Sequence, residues 1–167
     1  MTESDDVVDR IRADWRRLDP SVDTAVIDVA GRILRSAALI TRRGDEFLAR
    51  YELTRGEFDL LSALRRAGGP QRPGELRTIS LATGPATTKR LKALEGRTLV
   101  QRTRNPDDGR SALIALTSRG EELIDRVFPE LLAVERELFA GVEGESRSAV
   151  VAALRTVLAE LEPGSLD

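Results

Sequence analysis

Between Thr54 and Thr117 the residues spell an order of elements that few folds can hold: helix, short helix, helix, then two strands about a tight turn. Thr54-Arg55-Gly56-Glu57 has the form of a capping box, in which a threonine oxygen and a glutamate carboxylate satisfy the orphan amides of a helix start. Phe58, Leu61 and Leu64 supply that helix's buried stripe, and Gly68-Gly69-Pro70 ends it. Pro73 suits the first turn of a short helix over Pro73 to Leu81. Thr83 then caps a third helix with Leu91 and Leu94 on one face, closed by Gly96 to Thr98. Leu99 to Arg104 alternates as a strand does. Asn105-Pro106-Asp107-Asp108-Gly109 is dense in turn formers, and Ser111 to Thr117 supplies Leu113, Ile114 and Leu116 for a second strand.

The flanks read as long helices. Ser4 is a candidate N-cap for a helix carrying Val7, Val8, Ile11, Trp15 and Leu18, broken by Asp19-Pro20-Ser21. Val22, Val26, Val29, Ile33, Ala37 and Ile40 then recur in steps of three and four, which predicts a helix from about Val22 to Thr41 that Gly44 interrupts. After the hairpin, Thr117 or Ser118 caps a helix through Phe139, with Pro129 as its kink. A last helix over Ser146 to Leu161 aligns Val150, Leu154, Val157 and Leu161. The expected organisation is a single domain, 1–167. It has an extra helix and a dimerisation helix in 4–43, a DNA-binding lobe in 54–117 and C-terminal dimerisation helices in 118–161. Apolar stripes this long exceed what the lobe alone covers, which predicts a two-fold homodimer.

Composition narrows the chemistry. The 167 residues, 41% hydrophobic, suffice for one core. There is no cysteine and no histidine, so disulfides and cysteine metal sites are excluded and the commonest general base is missing. Glu57 and Asp59 stand two apart on a helix and do not face each other, while Glu121-Glu122 suits the dipole of a helix start. Neither pair argues for an enzyme, and no cofactor is implied. No run approaches the roughly 18 apolar residues of a membrane span. The acidic, polar start does not read as a secretory signal, so a cytoplasmic protein is expected. The net charge of -2 hides an asymmetry: Thr54 to Thr117 holds twelve basic and six acidic residues, a net of +6 against -8 elsewhere. A basic middle between acidic flanks suits a polyanion on one face.

Helix, short helix, helix and hairpin together make a winged helix-turn-helix, so the fold class is mainly α with a small β-wing and added N- and C-terminal dimerisation helices. In such a unit the second helix of the motif enters the major groove of duplex DNA. Its N-terminal half carries Gly84, Ala86, Thr87, Thr88 and Lys89 toward base edges, with Lys89, Arg90 and Lys92 for phosphate or guanine. At the hairpin tip Asp108 stands two residues before Arg110. That arginine can enter a minor groove, oriented by the aspartate.

These residues resemble the MarR family of multiple-antibiotic-resistance regulators. The similar stretch, about Leu53 to Gly120, includes Glu57 to Gly68, Thr88 to Glu95, Arg104 to Ser111 and Leu116 to Gly120. The wing string Arg104-Asn105-Pro106-Asp107-Asp108-Gly109-Arg110-Ser111 is the most specific of them. The resemblance implies an obligate homodimer on pseudo-palindromic operators, acting as a repressor, with a ligand pocket between the dimer base and the DNA-binding lobe. Two positions depart from the pattern. Pro85 falls in the first turn of the recognition helix, and Thr98 stands where the family has glycine, leaving Gly96 to serve the helix end. The extra N-terminal helix with its tryptophan looks like the urate-responsive branch. That likeness implies an effector set of Trp15, Asp59 and Arg66, with Arg90 of the recognition helix, for a small anionic or aromatic ligand. The alternative is a winged-helix module that binds DNA or a protein partner without an effector.

Overall fold

Helices account for most of the chain in this computed structural model, which describes residues 5–80, 84–105 and 112–162. In chain order they are α1 (Val7–Leu18), α2 (Ala25–Leu48), α3 (Arg55–Ala67), α4 (Pro73–Ser80) and α5 (Gly84–Gly96), then α6 (Ser118–Leu138) and α7 (Gly144–Leu161). Strands β1 (Val100–Arg104) and β2 (Ala112–Leu116) pair antiparallel between α5 and α6, with Val100 opposite Leu116 and Arg104 opposite Ala112. Gln71 adds a third rung: its amide and carbonyl exchange two 2.8 Å hydrogen bonds with Ile114. The winged helix-turn-helix read from the sequence is thus the observed architecture.

Local chemistry sets the boundaries. α3 starts where the capping box places it: the Glu57 amide donates to Thr54 Oγ1 at 3.3 Å, and the Thr54 amide donates to Glu57 Oε2 at 2.9 Å. Thr117, rather than Ser118, caps α6 by accepting from the Gly120 amide at 3.1 Å. At α1 the cap is Asp6, which accepts from the Val8 and Asp9 amides; Ser4 lies outside the described residues. The cap expected at Thr83 lies outside them as well.

One expected boundary is corrected. α2 does not stop near Thr41; it runs on to Leu48 with Gly44 buried inside it. A Cβ on Gly44 would stand 2.1 Å from Arg55 Nη2. The glycine leaves room for a side chain from α3, at a helix-interior cost of roughly 1 kcal/mol. α6 likewise continues through Pro129.

The core fills the lobe. Leu48, Leu60, Leu61, Leu76, Leu94 and Ile114 have no exposed surface, and Ile124, Val127 and Leu131 of α6 close it from the far side. α1 is fixed to α2 differently. Val8 is buried there, and the Arg32 guanidinium gathers Asp6 at 3.0 Å, Asp9 at 2.7 Å and Asp28 at 3.3 Å, while Arg12 also pairs with Asp28. The outer faces of the terminal helices stay open: Val26, Val29, Leu34 and Leu39 of α2 are exposed, and no residue of α7 is buried.

Candidate nucleic-acid interface

The recognition helix α5 divides into two faces. Leu91 and Leu94 anchor it in the core, and Thr87, one turn earlier on the same side, is only 2% exposed. Thr87 was expected to face bases; the structure corrects this, because its spacing from Leu91 and Leu94 turns it inward. Thr88, Lys89 and Lys92 are exposed on the opposite side, with Ala86 half-buried beside them. Neither lysine has a carboxylate within 4.0 Å among the described residues. Pro85 sits in the first turn without interrupting the helix.

Arg90 does not share that outward face. Its guanidinium lies over the start of α3, so close that a Cβ on Gly56 would stand 2.2 Å from Arg90 Cζ. A larger residue at position 56 would have to displace the Arg90 guanidinium. Sequence reasoning gave Arg90 to DNA first and to the effector second; its placement favours the second role.

The wing is tied to α5 by Arg102, whose Nε donates to Glu95 Oε1 at 2.9 Å. Gln101, Arg102, Thr103 and Arg104 are exposed along β1. Asp108 and Arg110, expected at the wing tip, lie outside the described residues. The junction from α5 into β1 is a left-handed turn. Leu99 N–H donates to the Leu94 carbonyl and Thr98 N–H to the Glu95 carbonyl, with Thr98 at φ 57°. This is the position where the family pattern has glycine, and Thr98 adopts the glycine conformation in its stead. Gly96 is simply the last residue of the helix, so it does not take over the turn.

The expected effector residues divide between two places. Asp59 and Arg66 share one face of α3, seven residues apart. Asp59 is half-buried, and burial pushes its carboxyl above the ordinary value, with Arg55, Arg90 and Arg66 pulling it back and Asp45 adding to the rise. Arg66 donates from Nε to the Ser62 carbonyl at 3.3 Å and lines a cavity of about 220 Å³ with Ser62, Ile124, Phe128 and Pro129. Trp15 is elsewhere: half-exposed on α1, beside Ile11, Asp14 and Leu18. α1 packs around Gly31 of α2, whereas Asp59 lies near Asp45, roughly 20 Å further along that helix at 1.5 Å per residue. Within one chain Trp15 does not join the other two. The residue that sequence reasoning missed is Arg55. It enters the Gly44 notch, stands 3.6 Å from Glu135 and faces Asp59. Its only sequence signal was its place one turn before Asp59.

Comparison with known proteins decides the family. A MarR family model matches residues 51–111. The HTH-type transcriptional regulator PecS of Dickeya dadantii is 32% identical over 145 residues, 86% of this chain and 87% of that protein. The chain belongs to the MarR family. A variant of E. coli MarR complexed with operator DNA superposes with a TM-score of 0.69 at 25% identity, over 82% of this chain and 99% of that one. AbsC, a MarR family regulator from Streptomyces coelicolor, shares the fold with a TM-score of 0.75 at 24% identity, over 84% of this chain and 97% of that one. Membership makes the chain a DNA-binding transcriptional regulator and bears out the reading that it is not an enzyme. No helix among the described residues is long and apolar enough to cross a membrane.

Proposed function

We propose that two copies of this MarR family regulator form a two-fold dimer that represses by binding a pseudo-palindromic operator, and that a small anionic or aromatic effector releases it. The observation that carries the DNA reading is the outward face of α5, where Thr88, Lys89 and Lys92 stand exposed beside a two-stranded wing, the lysines with no carboxylate within 4.0 Å among the described residues. The exposed apolar faces of α2 and α7 support the dimer. Two recognition helices related by a two-fold axis address half-sites about 34 Å apart, one turn of the duplex.

The effector reading rests on Asp59 among Arg55, Arg66 and Arg90. Three guanidiniums converge on the half-buried Asp59 carboxyl, and an incoming anion competes with it and with Glu135 for their hydrogen bonds. Because Arg90 belongs to α5, an anion that drew it from the Gly56 notch would also move the recognition helix. A ligand that prefers the shifted state lowers DNA affinity by the same coupling factor.

Fluorescence anisotropy on a labelled duplex from the DNA flanking the gene tests both halves. Lys89→Ala weakens binding about tenfold and flattens the salt dependence by roughly one phosphate contact. Urate, then phenolic and carboxylic acids, release the parent from DNA, and Arg66→Ala keeps the DNA affinity but loses the release. Equal affinity in Lys89→Ala rejects the groove assignment; an unaltered release in Arg66→Ala rejects the effector site.

A further inference from the structure

On the flank of the lobe, where the end of α2, the α5–β1 junction and the first half of α6 converge, an open hollow of about 430 Å³ is lined by Arg50, Arg97, Arg119 and Arg126 over a floor that includes Leu99 and Leu123. Glu52 and Glu122 are the acids at its edge.

The guanidiniums are held, but mostly not by carboxylates. Arg97 donates to the Glu52 carbonyl at 2.5 Å and the Tyr51 carbonyl at 3.0 Å, and stands 3.9 Å from the Glu52 carboxylate. Arg126 packs over the Tyr51 ring, 5.5 Å from its centroid, and Tyr51 is itself fixed by a hydrogen bond to Glu130. Arg50 lies 5.7 Å from the centre of the Phe47 ring. Arg119 reaches Thr98 Oγ1 at 3.4 Å. Among the described residues, Arg50, Arg119 and Arg126 have no carboxylate within 4.0 Å. Four guanidiniums against two carboxylates leave an excess of positive charge, and a shared anion converts their mutual repulsion into several charge-assisted hydrogen bonds. Guanidinium forks match the oxygens of phosphate and carboxylate alike. Arg119 also lies in the first turn of α6, where the helix dipole favours negative charge.

This hollow is separate from the DNA face and from the faces left for a second copy. Leu99 precedes β1, so the wing turn begins five residues away, about 17 Å at strand rise. On α6, Arg119, Glu122, Leu123 and Arg126 share one side, whereas the exposed Phe128 and Leu132 occupy the other. A dimer that covers the apolar side leaves the hollow open.

We propose that this hollow is a binding site for a compact oxyanion carrying two or more negative charges, a polyphosphate or a polycarboxylate, distinct from the effector set on α3. The size fits: the volume lies at the lower end of small-ligand pockets. Isothermal titration of the full chain at 0.15 M salt, with pyrophosphate and citrate at matched ionic strength, tests it. At least one of the two binds with a dissociation constant below about 1 mM, and their ratio tells the phosphate source from the carboxylate source. The double variant Arg119→Gln with Arg126→Gln, shown by circular dichroism to be folded, loses at least tenfold in that affinity. Glu122→Gln, which removes a repelling carboxylate, tightens it. Arg65→Gln, whose arginine pairs with Asp125 outside the hollow, leaves it unchanged. Absence of heat from both anions, or the same affinity in the folded double variant, overturns the proposal.

Discussion

The DNA-binding lobe and the terminal helices use similar apolar residues to opposite ends. In the lobe, Leu60, Leu61 and Leu94 are fully buried by their own chain; in α2 and α7, Val26 is 69% exposed, Leu34 71% and Leu161 72%. Both regions carry helical periodicity, so the difference is not one of pattern. It is one of partner: the lobe folds its stripes onto one another, whereas the outer stripes stay largely exposed among the described residues. So many large side chains rarely stay open on a folded chain unless another surface covers them. On the proposed dimer, the lobe supplies conformational stability and the terminal helices supply assembly.

Substitutions that separate those two contributions test the contrast. The largest effect is expected in the lobe. Leu61→Ala empties a fully enclosed site and costs about 2–5 kcal/mol in urea unfolding, with the same loss at any protein concentration. Leu158→Asp on α7 leaves the lobe's spectrum intact and weakens self-association at least tenfold, so its melting temperature lies below the parent's at concentrations where the parent is dimeric and meets it on dilution. A loss that persists undiminished at dilutions where both chains are monomeric would erase the distinction between the regions.

Two smaller effects sharpen the picture inside the lobe. Thr98→Gly relieves a β-branched residue at φ 57° and stabilises by about 1 kcal/mol, the difference between left-handed strain and the added freedom of glycine when unfolded. Asp59→Asn gives the smallest change, and its size depends on pH. Because burial raises the carboxyl's folded pKa above the ordinary 3.8, the folded chain holds that proton more tightly than the unfolded chain. The ionised aspartate thus costs stability above that window and costs nothing below it. The asparagine variant is more stable by under about 1 kcal/mol at pH 7, since the site is partly solvated, and the gain shrinks as pH falls toward 3.8. Denaturant titrations at several pH values measure it.

How far the residues disclosed the fold follows the same division. Short-range chemistry was legible: the Thr54–Glu57 capping box, the Thr117 cap and the β1–β2 pairing stand where their residues place them. Thr87 was readable too, since its spacing from Leu91 and Leu94 assigns it to the core; attention to its hydroxyl as a base reader obscured that. Gly44 and Gly56 could not be read locally. A glycine's usual meaning is a helix end or a weak spot, and here each accommodates an arginine delivered by a different helix. The effector set was legible in part: helical spacing puts Asp59 and Arg66 on one face of α3, but nothing near Trp15 reveals that α1 packs far along α2 from them. Arg55 and the arginine-lined flank depend on long-range packing alone, which no local pattern records.

The contrast between a self-sufficient lobe and unfinished outer helices is tested most directly by sedimentation equilibrium of the unmodified chain at micromolar concentration. A mass of two chains, dissociating on dilution without loss of helical signal from the lobe, is the predicted result. A single-chain mass throughout that range would mean that the exposed faces of α2 and α7 have no second copy to meet, and would contradict the two-fold dimer and the paired operator built on it.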